Sequence, residues 1–243
     1  MMLDCGLVLM SDTRTNSGVD NISTFRKMYD WAVPGERIVA LMTSGNLATT
    51  QAVVSKLQER AKTPGERHNT LLEAPTMFEM ATQVGRLLRE TIAERDHQNG
   101  PEASGQFGAT LILAGQIAGM EPRLFLIYPE GNFIEASFDT PFFQIVETKY
   151  GRPIILRGYD RTMSFSDATK LLMVSFDSTI KANLSVGMPL DLLVLERDNF
   201  AARHRERITA ADPWYRSISA SWSEALKAAL DGLPEYPFHT RGG

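Results

Sequence analysis

Gly6-Leu7-Val8-Leu9-Met10-Ser11-Asp12-Thr13-Arg14-Thr15-Asn16-Ser17-Gly18, followed by Ile22-Ser23-Thr24-Phe25-Arg26-Lys27-Met28, decides how the chain is read. Leu7 to Ser11 is a continuous apolar run closed by a polar turn, the pattern of a buried strand. Asp12-x-Arg14 forms that turn. Phe25 to Ala32 alternates more openly, as a half-buried strand would, and carries Lys27. Pro34-Gly35 is a turn signal, and Ile38 to Thr43 is the next apolar run, ending at Ser44-Gly45-Asn46. Sheet therefore comes first, and an aspartate and a lysine fall at the ends of two early strands.

Beyond Asn46 the period changes. Leu47, Val53, Val54 and Leu57 fall on helical spacing, and the polar stretch Thr63 to Asn69 reads as a loop. Thr76-x-x-Glu79 has the form of a capping box. Met77, Met80, Ala81, Val84, Leu87, Leu88 and Ile92 then make the apolar stripe of a long helix that stops at Gln98-Asn99-Gly100-Pro101. Met77 and Met80 read as core filling. Sheet returns in Ala109 to Leu113, Arg123 to Tyr128, Phe133 to Ser137 and Phe142 to Glu147, with hairpin chemistry at Glu130-Gly131-Asn132. Ser166 to Ile180 is helical with a cap at Ser164 or Ser166. Pro189 to Leu195 is one more strand, and Pro213 to Leu230 a helix with Trp214, Ile218, Trp222 and Leu226 on one face.

Strands and helices in blocks, without βαβ alternation, argue against a doubly wound parallel sheet. The expectation is an α+β fold: two antiparallel sheets packed face to face with helices outside, a four-layer αββα sandwich with an added C-terminal helix. No composition shift marks a boundary, so residues 1–243 are taken as one domain, with 199–243 a C-terminal helical extension.

The composition narrows the function classes. A formal charge of −4 with scattered Arg and Lys offers no field for nucleic acid or an anionic membrane. Cys5 stands alone, so no intrachain disulfide is possible. His68, His97, His204 and His239 lie far apart with no ligand spacing, so no metal is expected, and His204 reads as part of a solvated charge run. The longest apolar stretch, Ala109 to Ala118, is broken by Gly115 and Gln116 and is too short to span a membrane. No basic region followed by an apolar core opens the chain, so a cytoplasmic location is the default.

Three runs carry a family resemblance: Ser11-Asp12-Thr13-Arg14-Thr15-Asn16; Gly18-Val19-Asp20-Asn21-Ile22-Ser23-Thr24-Phe25-Arg26-Lys27-Met28; and Leu41-Met42-Thr43-Ser44-Gly45-Asn46-Leu47-Ala48-Thr49-Thr50. With these the chain resembles the proteasome β-type peptidases, and specifically the bacterial proteasome-like Anbu family. The likeness extends through Phe142 to Pro153 and Ser175 to Leu193. It implies a threonine peptidase of the N-terminal nucleophile type, working inside a self-compartmentalised homo-oligomer that forms a ring or an open spiral. The implied substrate is a peptide or unfolded protein, with no metal or organic cofactor.

In that mechanism a Thr at the chain start attacks the peptide carbonyl and its own α-amine is the general base. An α-amine titrates at about 7.7–8.0 and can take the hydroxyl proton near neutral pH. A neighbouring ammonium lowers that value and keeps the amine neutral. The resemblance makes Lys27 that ammonium, Asp12 the carboxylate that orients it, and the Gly45 N–H the oxyanion-hole donor, where the lack of a side chain lets substrate approach. Ser185 falls where the superfamily has a supporting serine, and Asn183 near its usual aspartate. No counterpart for a second supporting serine is found near Val146-Glu147-Thr148.

Backbone near Thr15-Asn16 and from Gly45 to Leu47 is implied to pair with an extended peptide. Thr15, Phe25, Thr43 and Leu47 are implied to line a specificity pocket that Phe25 makes shallow, favouring a small or flat side chain. Aligning Gly6 and Asp12 on the family pattern puts the nucleophilic Thr upstream of Met1. Cys5, in the Asp4-Cys5-Gly6 turn, is read as a partly buried turn residue and not as a substitute nucleophile. The resemblance also puts the Trp214 and Trp222 face at a subunit interface. A catalytically silent shell subunit is the alternative function; retention of Asp12, Lys27 and Gly45 favours the peptidase.

Overall fold

The computed structural model describes residues 1–16, 22–62, 70–99 and 105–238. The first four positions of the second family run (18–21), the 63–69 loop and the Gly100-Pro101 breaker lie outside the described residues. Eleven strands and five helices follow in order among the described residues. They are β1 (Met2–Leu3), β2 (Gly6–Asp12), β3 (Arg14–Asn16), β4 (Ile22–Thr24), β5 (Met28–Val33), β6 (Arg37–Gly45), α1 (Leu47–Lys62), α2 (Met77–Asn99), β7 (Ala109–Ile117), β8 (Arg123–Ile127) and β9 (Phe133–Glu135). After these come α3 (Arg152–Gly158), α4 (Phe165–Ala182), β10 (Leu190–Glu196), β11 (His204–Ile208) and α5 (Pro213–Asp231).

The strands form antiparallel sheets of order β1-β2-β10-β11 and β5-β6-β7-β8-β9, with β3-β4 as a separate ribbon. The continuous apolar run of β2 makes sense in this arrangement, because both of its faces are buried. Successive side chains of a strand point to opposite faces. Leu7 and Leu9 pack with Leu193 and Leu195 of β10 against Ile38, Ala40, Ile112, Ala114 and Leu124 of the second sheet. Val8 and Met10 face the other way, toward Leu192 and Val194 and the helical residues Ile155, Leu172 and Tyr215. The outer face of the second sheet, with Val39, Leu41, Leu111, Leu113 and Phe125, packs on Val53, Met77, Met80 and Leu88 of α1 and α2. Met77 and Met80 are fully buried, as core filling requires.

The helix starts follow their caps. The Glu79 N–H donates to Thr76 Oγ1 at 3.1 Å. Ser164, not Ser166, caps α4, its Oγ accepting the Asp167 N–H at 3.1 Å. Asp212 caps α5 by accepting the Tyr215 N–H at 3.0 Å.

Four details depart from the sequence expectations. The strand expected over Phe25 to Ala32 is broken: β4 ends at Thr24 and β5 begins at Met28. Lys27 thus lies on a connector that crosses from the ribbon to the second sheet. Phe142 to Glu147 is not a strand, because Val146 adopts φ +74° and the Gln144 side chain folds back to donate to the Glu147 carbonyl at 2.7 Å. The short helix α3, with Pro153 in its first turn, is absent from the sequence expectations. The charge run at His204 is the edge strand β11, so the segment 199–243 contributes a strand as well as a helix. Charged side chains suit such an edge. His204 is exposed there and lies 2.9 Å from Glu206.

Candidate active site

The end of β2 meets the Lys27 connector at a pair of opposite charges. Lys27 Nζ donates to Asp12 Oδ1 at 2.8 Å, and both side chains are largely shielded, 19% and 13% exposed. The other carboxylate oxygen accepts the Arg14 N–H at 3.2 Å and the Gly187 N–H at 3.4 Å. Lys27 is fixed through its backbone, since its carbonyl accepts the Thr43 N–H of β6 at 2.8 Å. Thr13, between Asp12 and Arg14, is fully buried and its Oγ1 donates to the Pro189 carbonyl at 2.7 Å. Two N–H groups and an ammonium thus fix the orientation of this carboxylate. The turn after β2 is therefore a rigid mount for the lysine.

A cavity of about 120 Å³ opens beside this pair. Met10, Ser11, Asp12, Lys27, Thr43, Ser44 and Ser185 contribute to its wall, together with Phe143 to Glu147 and with Ile155, Leu172, Ser175 and Thr179. Among the described residues, Ser11 Oγ and Gln144 Oε1 are buried without a hydrogen-bond partner. Both border the cavity and are two polar points in a wall that is otherwise largely apolar.

Of the nine residues singled out from the sequence, the structure gathers Asp12, Lys27, Thr43 and Ser185 around one cavity. Thr15 and Asn16 lie on β3, paired with Ser23 and Ile22 of β4. Phe25 is half-buried, its N–H donating to the Thr13 carbonyl at 2.8 Å. Leu47 opens α1, half-buried. Gly45 closes β6 at φ +104°, and a Cβ there would sit 2.5 Å from the Gly108 carbonyl oxygen. The glycine is thus demanded by neighbouring backbone, a reason different from the substrate access expected of it.

The turn 183–187 completes the wall. Asn183 Oδ1 accepts the Ser185 N–H at 2.8 Å, and Arg14 Nη1 donates to the Leu184 carbonyl at 2.9 Å. Gly187 passes so near Arg14 that a Cβ would lie 2.6 Å from its Nε. Glu147 is an addition to the residues expected from the sequence: its Oε2 accepts Asn183 Nδ2 at 2.7 Å. The two are 36 positions apart, and only folding brings them together.

Cys5 does not belong to this site. It is half-buried, its Sγ lies 3.9 Å from the Met163 carbonyl, and burial raises its thiol pKa above the ordinary value. That is the opposite of an activated thiolate. Among the described residues no three His, Cys, Asp or Glu side chains converge as they would around a metal ion.

Comparison with solved structures gives the fold a family. Anbu (ancestral beta-subunit) from Yersinia bercovieri is 43% identical, with a TM-score of 0.91 over 98% of this chain and 97% of that one. The chain belongs to the Anbu family. Anbu from Hyphomicrobium sp. strain MC1 is 47% identical with a TM-score of 0.87, covering 97% of each chain. The Pseudomonas aeruginosa protein, solved as a helical assembly of the Anbu complex, is 41% identical with a TM-score of 0.90 over 99% of this chain and 98% of that one. No family model and no curated protein matches the chain. Membership of this bacterial proteasome-like family agrees with the antiparallel α+β architecture, and among the described residues no helix is long and apolar enough to cross a membrane.

Proposed function

We propose that this chain is a subunit of a self-associating threonine peptidase, with Lys27 and Asp12 serving an N-terminal Thr carried upstream of Met1. The observation that carries this reading is the 2.8 Å Lys27–Asp12 pair at the wall of a cavity beside β2. An ammonium so placed would hold a nearby α-amine neutral and ready to act as base.

The strand register supports the position of that nucleophile. β1 pairs with β2 as Leu3↔Gly6 and Met2↔Leu7. Met1 and Val8 exchange two hydrogen bonds of 3.1 Å. A chain continued upstream in the same register passes Leu9, Met10 and Ser11, one residue per step, and brings its next residue opposite Asp12. The Gly45 N–H would bind the oxyanion, Ser185 would support the nucleophile, and Thr15, Asn16, Phe25, Thr43 and Leu47 would hold an extended peptide. The three stacked apolar cores support a four-layer αββα sandwich, in one domain spanning 1–243, with α5 added. The reaction needs no cofactor, and we place the assembly in the cytoplasm.

Self-association rests on α5 and the residues after it. Trp214, Leu226, Leu230, Leu233, Tyr236 and Phe238 are all more than half exposed, with Trp214 at 77% and Phe238 at 87%. So large an apolar display fits a second copy of the chain. The P. aeruginosa relative was solved as a helical assembly. The same surface favours the second reading, a shell subunit without chemistry. The experiment that separates them is expression with and without the upstream codons, followed by hydrolysis of fluorogenic peptides. Turnover that needs the upstream Thr and vanishes in Lys27→Ala establishes the peptidase. An intact oligomer with no turnover in either form establishes the shell subunit.

A further inference from the structure

The turn 183–187 is held at three points, and only two of them belong to the Asp12–Lys27 pair and its arginine neighbour. Asp12 Oδ2 receives the Gly187 N–H at 3.4 Å, and Arg14 Nη1 donates to the Leu184 carbonyl at 2.9 Å. The third point is Asn183, whose Oδ1 accepts the Ser185 N–H at 2.8 Å while its Nδ2 donates to Glu147 Oε2 at 2.7 Å. Glu147 is itself constrained. Its Oε1 accepts the Lys149 N–H at 2.9 Å, and its carbonyl accepts Gln144 Nε2 at 2.7 Å. Val146 just before it sits at φ +74°, a conformation that costs a β-branched residue energy and that surrounding contacts must enforce. A strained residue next to a charged side chain that reaches across the cavity rim calls for a reason.

We infer that Glu147 is a positioning residue: through Asn183 it orients the 183–187 turn, which presents Ser185 to the cavity and holds Asp12 in line with Lys27. Its effect on turnover rests on the peptidase reading; its effect on the Asp12–Lys27 geometry does not. The carboxylate comes from the 143–149 loop and reaches the neutral Asn183 from outside α4. The polarity of the contact is fixed, since a carboxylate only accepts and the amide nitrogen only donates.

That polarity gives the test. Glu147→Ala removes the acceptor. Asn183→Asp sets two carboxylates face to face, which repel. Glu147→Gln combined with Asn183→Asp rebuilds the bond with donor and acceptor exchanged, and the carboxylate introduced at position 183 can still receive the Ser185 N–H. Two readouts are taken on the full chain with its upstream residues. One is the rate at which acetic anhydride labels Lys27 relative to the surface lysine Lys170. The other is kcat and KM for a fluorogenic peptide.

Both single variants are expected to raise Lys27 labelling at least threefold, and the double variant to return it to within twofold of the parent. kcat should fall at least tenfold in the single variants, with KM within threefold, and recover in the double variant. Unchanged Lys27 labelling in both single variants overturns the inference. So does a rise in labelling that the exchanged pair does not reverse, because a merely structural loss would not follow donor polarity. A parent that hydrolyses no peptide, with labelling behaving as expected, removes the peptidase reading and leaves the positioning role standing. Labelling that behaves as expected with kcat unmoved in an active parent overturns the catalytic half.

Discussion

Lys27→Ala is the sharpest change at the scale of one residue. It removes the charge that the proposed base requires, and peptide turnover should fall by at least a hundredfold. Asp12 keeps the Arg14 and Gly187 N–H groups, so the loss of stability should be about 1–3 kcal/mol. Parallel kinetics and urea unfolding would check both halves. Gly45→Ala should behave in reverse order. At φ +104°, with the Gly108 carbonyl 2.5 Å from a new Cβ, the substitution strains backbone against backbone. It should cost about 1–3 kcal/mol, read as a lower melting temperature before any kinetic effect is considered. The residues that make these predictions possible differ in how far the sequence reveals them. Asp12, Lys27 and Gly45 stand inside long runs whose pattern is informative residue by residue. Glu147 and Asn183 stand in runs that say nothing of each other, since a hydrogen bond across 36 positions leaves no local trace.

Single elements are legible where one force dominates. The continuous run of β2, the stripe of α2 and the caps at Thr76 and Ser164 each announce themselves through burial or an unsatisfied N–H. The misreadings share a cause, which is that composition alone does not separate a strand from a loop. β11 carries His204, Arg205, Glu206 and Arg207 because an edge strand shows one side to water. Conversely, Phe142 to Glu147 looks like a strand in composition, yet it pairs with no strand among the described residues and closes a cavity instead. α5 is held by a different device. Tyr215 Oη donates to the buried Asp177 carboxylate at 3.1 Å, and Lys181 Nζ reaches the same group at 2.8 Å. Burial first, then the Asp177 charge, pushes the Tyr215 phenol up to about 12, so it remains a donor across the physiological range. Asp177→Ala leaves the buried phenol without its acceptor and should loosen α5. Faster proteolytic loss of the C-terminal segment, together with a smaller oligomer by light scattering, is the expected result. A variant that keeps its size and its resistance to protease would mean that α5 is held by apolar packing alone.

For the molecule as a whole, pH is the informative variable. The Met1 amine is fully buried and donates to the Val8 carbonyl, and burial lowers its pKa from 8.0 to about 5. In a chain that starts at Met1 the folded form carries this amine neutral at pH 7, while the unfolded form protonates it. The unfolded state then binds more protons between pH 8 and pH 5, so stability falls as pH falls through that window and levels off below it. The full difference is on the order of 4 kcal/mol. A chain with residues ahead of Met1 has an amide in that place and should lack this contribution. Urea unfolding of the two forms at pH 8, 6.5 and 5 would show it as a gap that widens toward acid.

The same buried start has a practical side. An affinity tag fused ahead of Met1 would leave the fold at a buried point, because Met1 already pairs with Val8 of β2. If it kept the register proposed for the upstream strand, the tag would run past Ser11 and Asp12 toward the cavity and act as a tethered competitor for that space. Recombinant material intended for kinetics should therefore have any such handle cut away by a protease that leaves none of its residues on the chain.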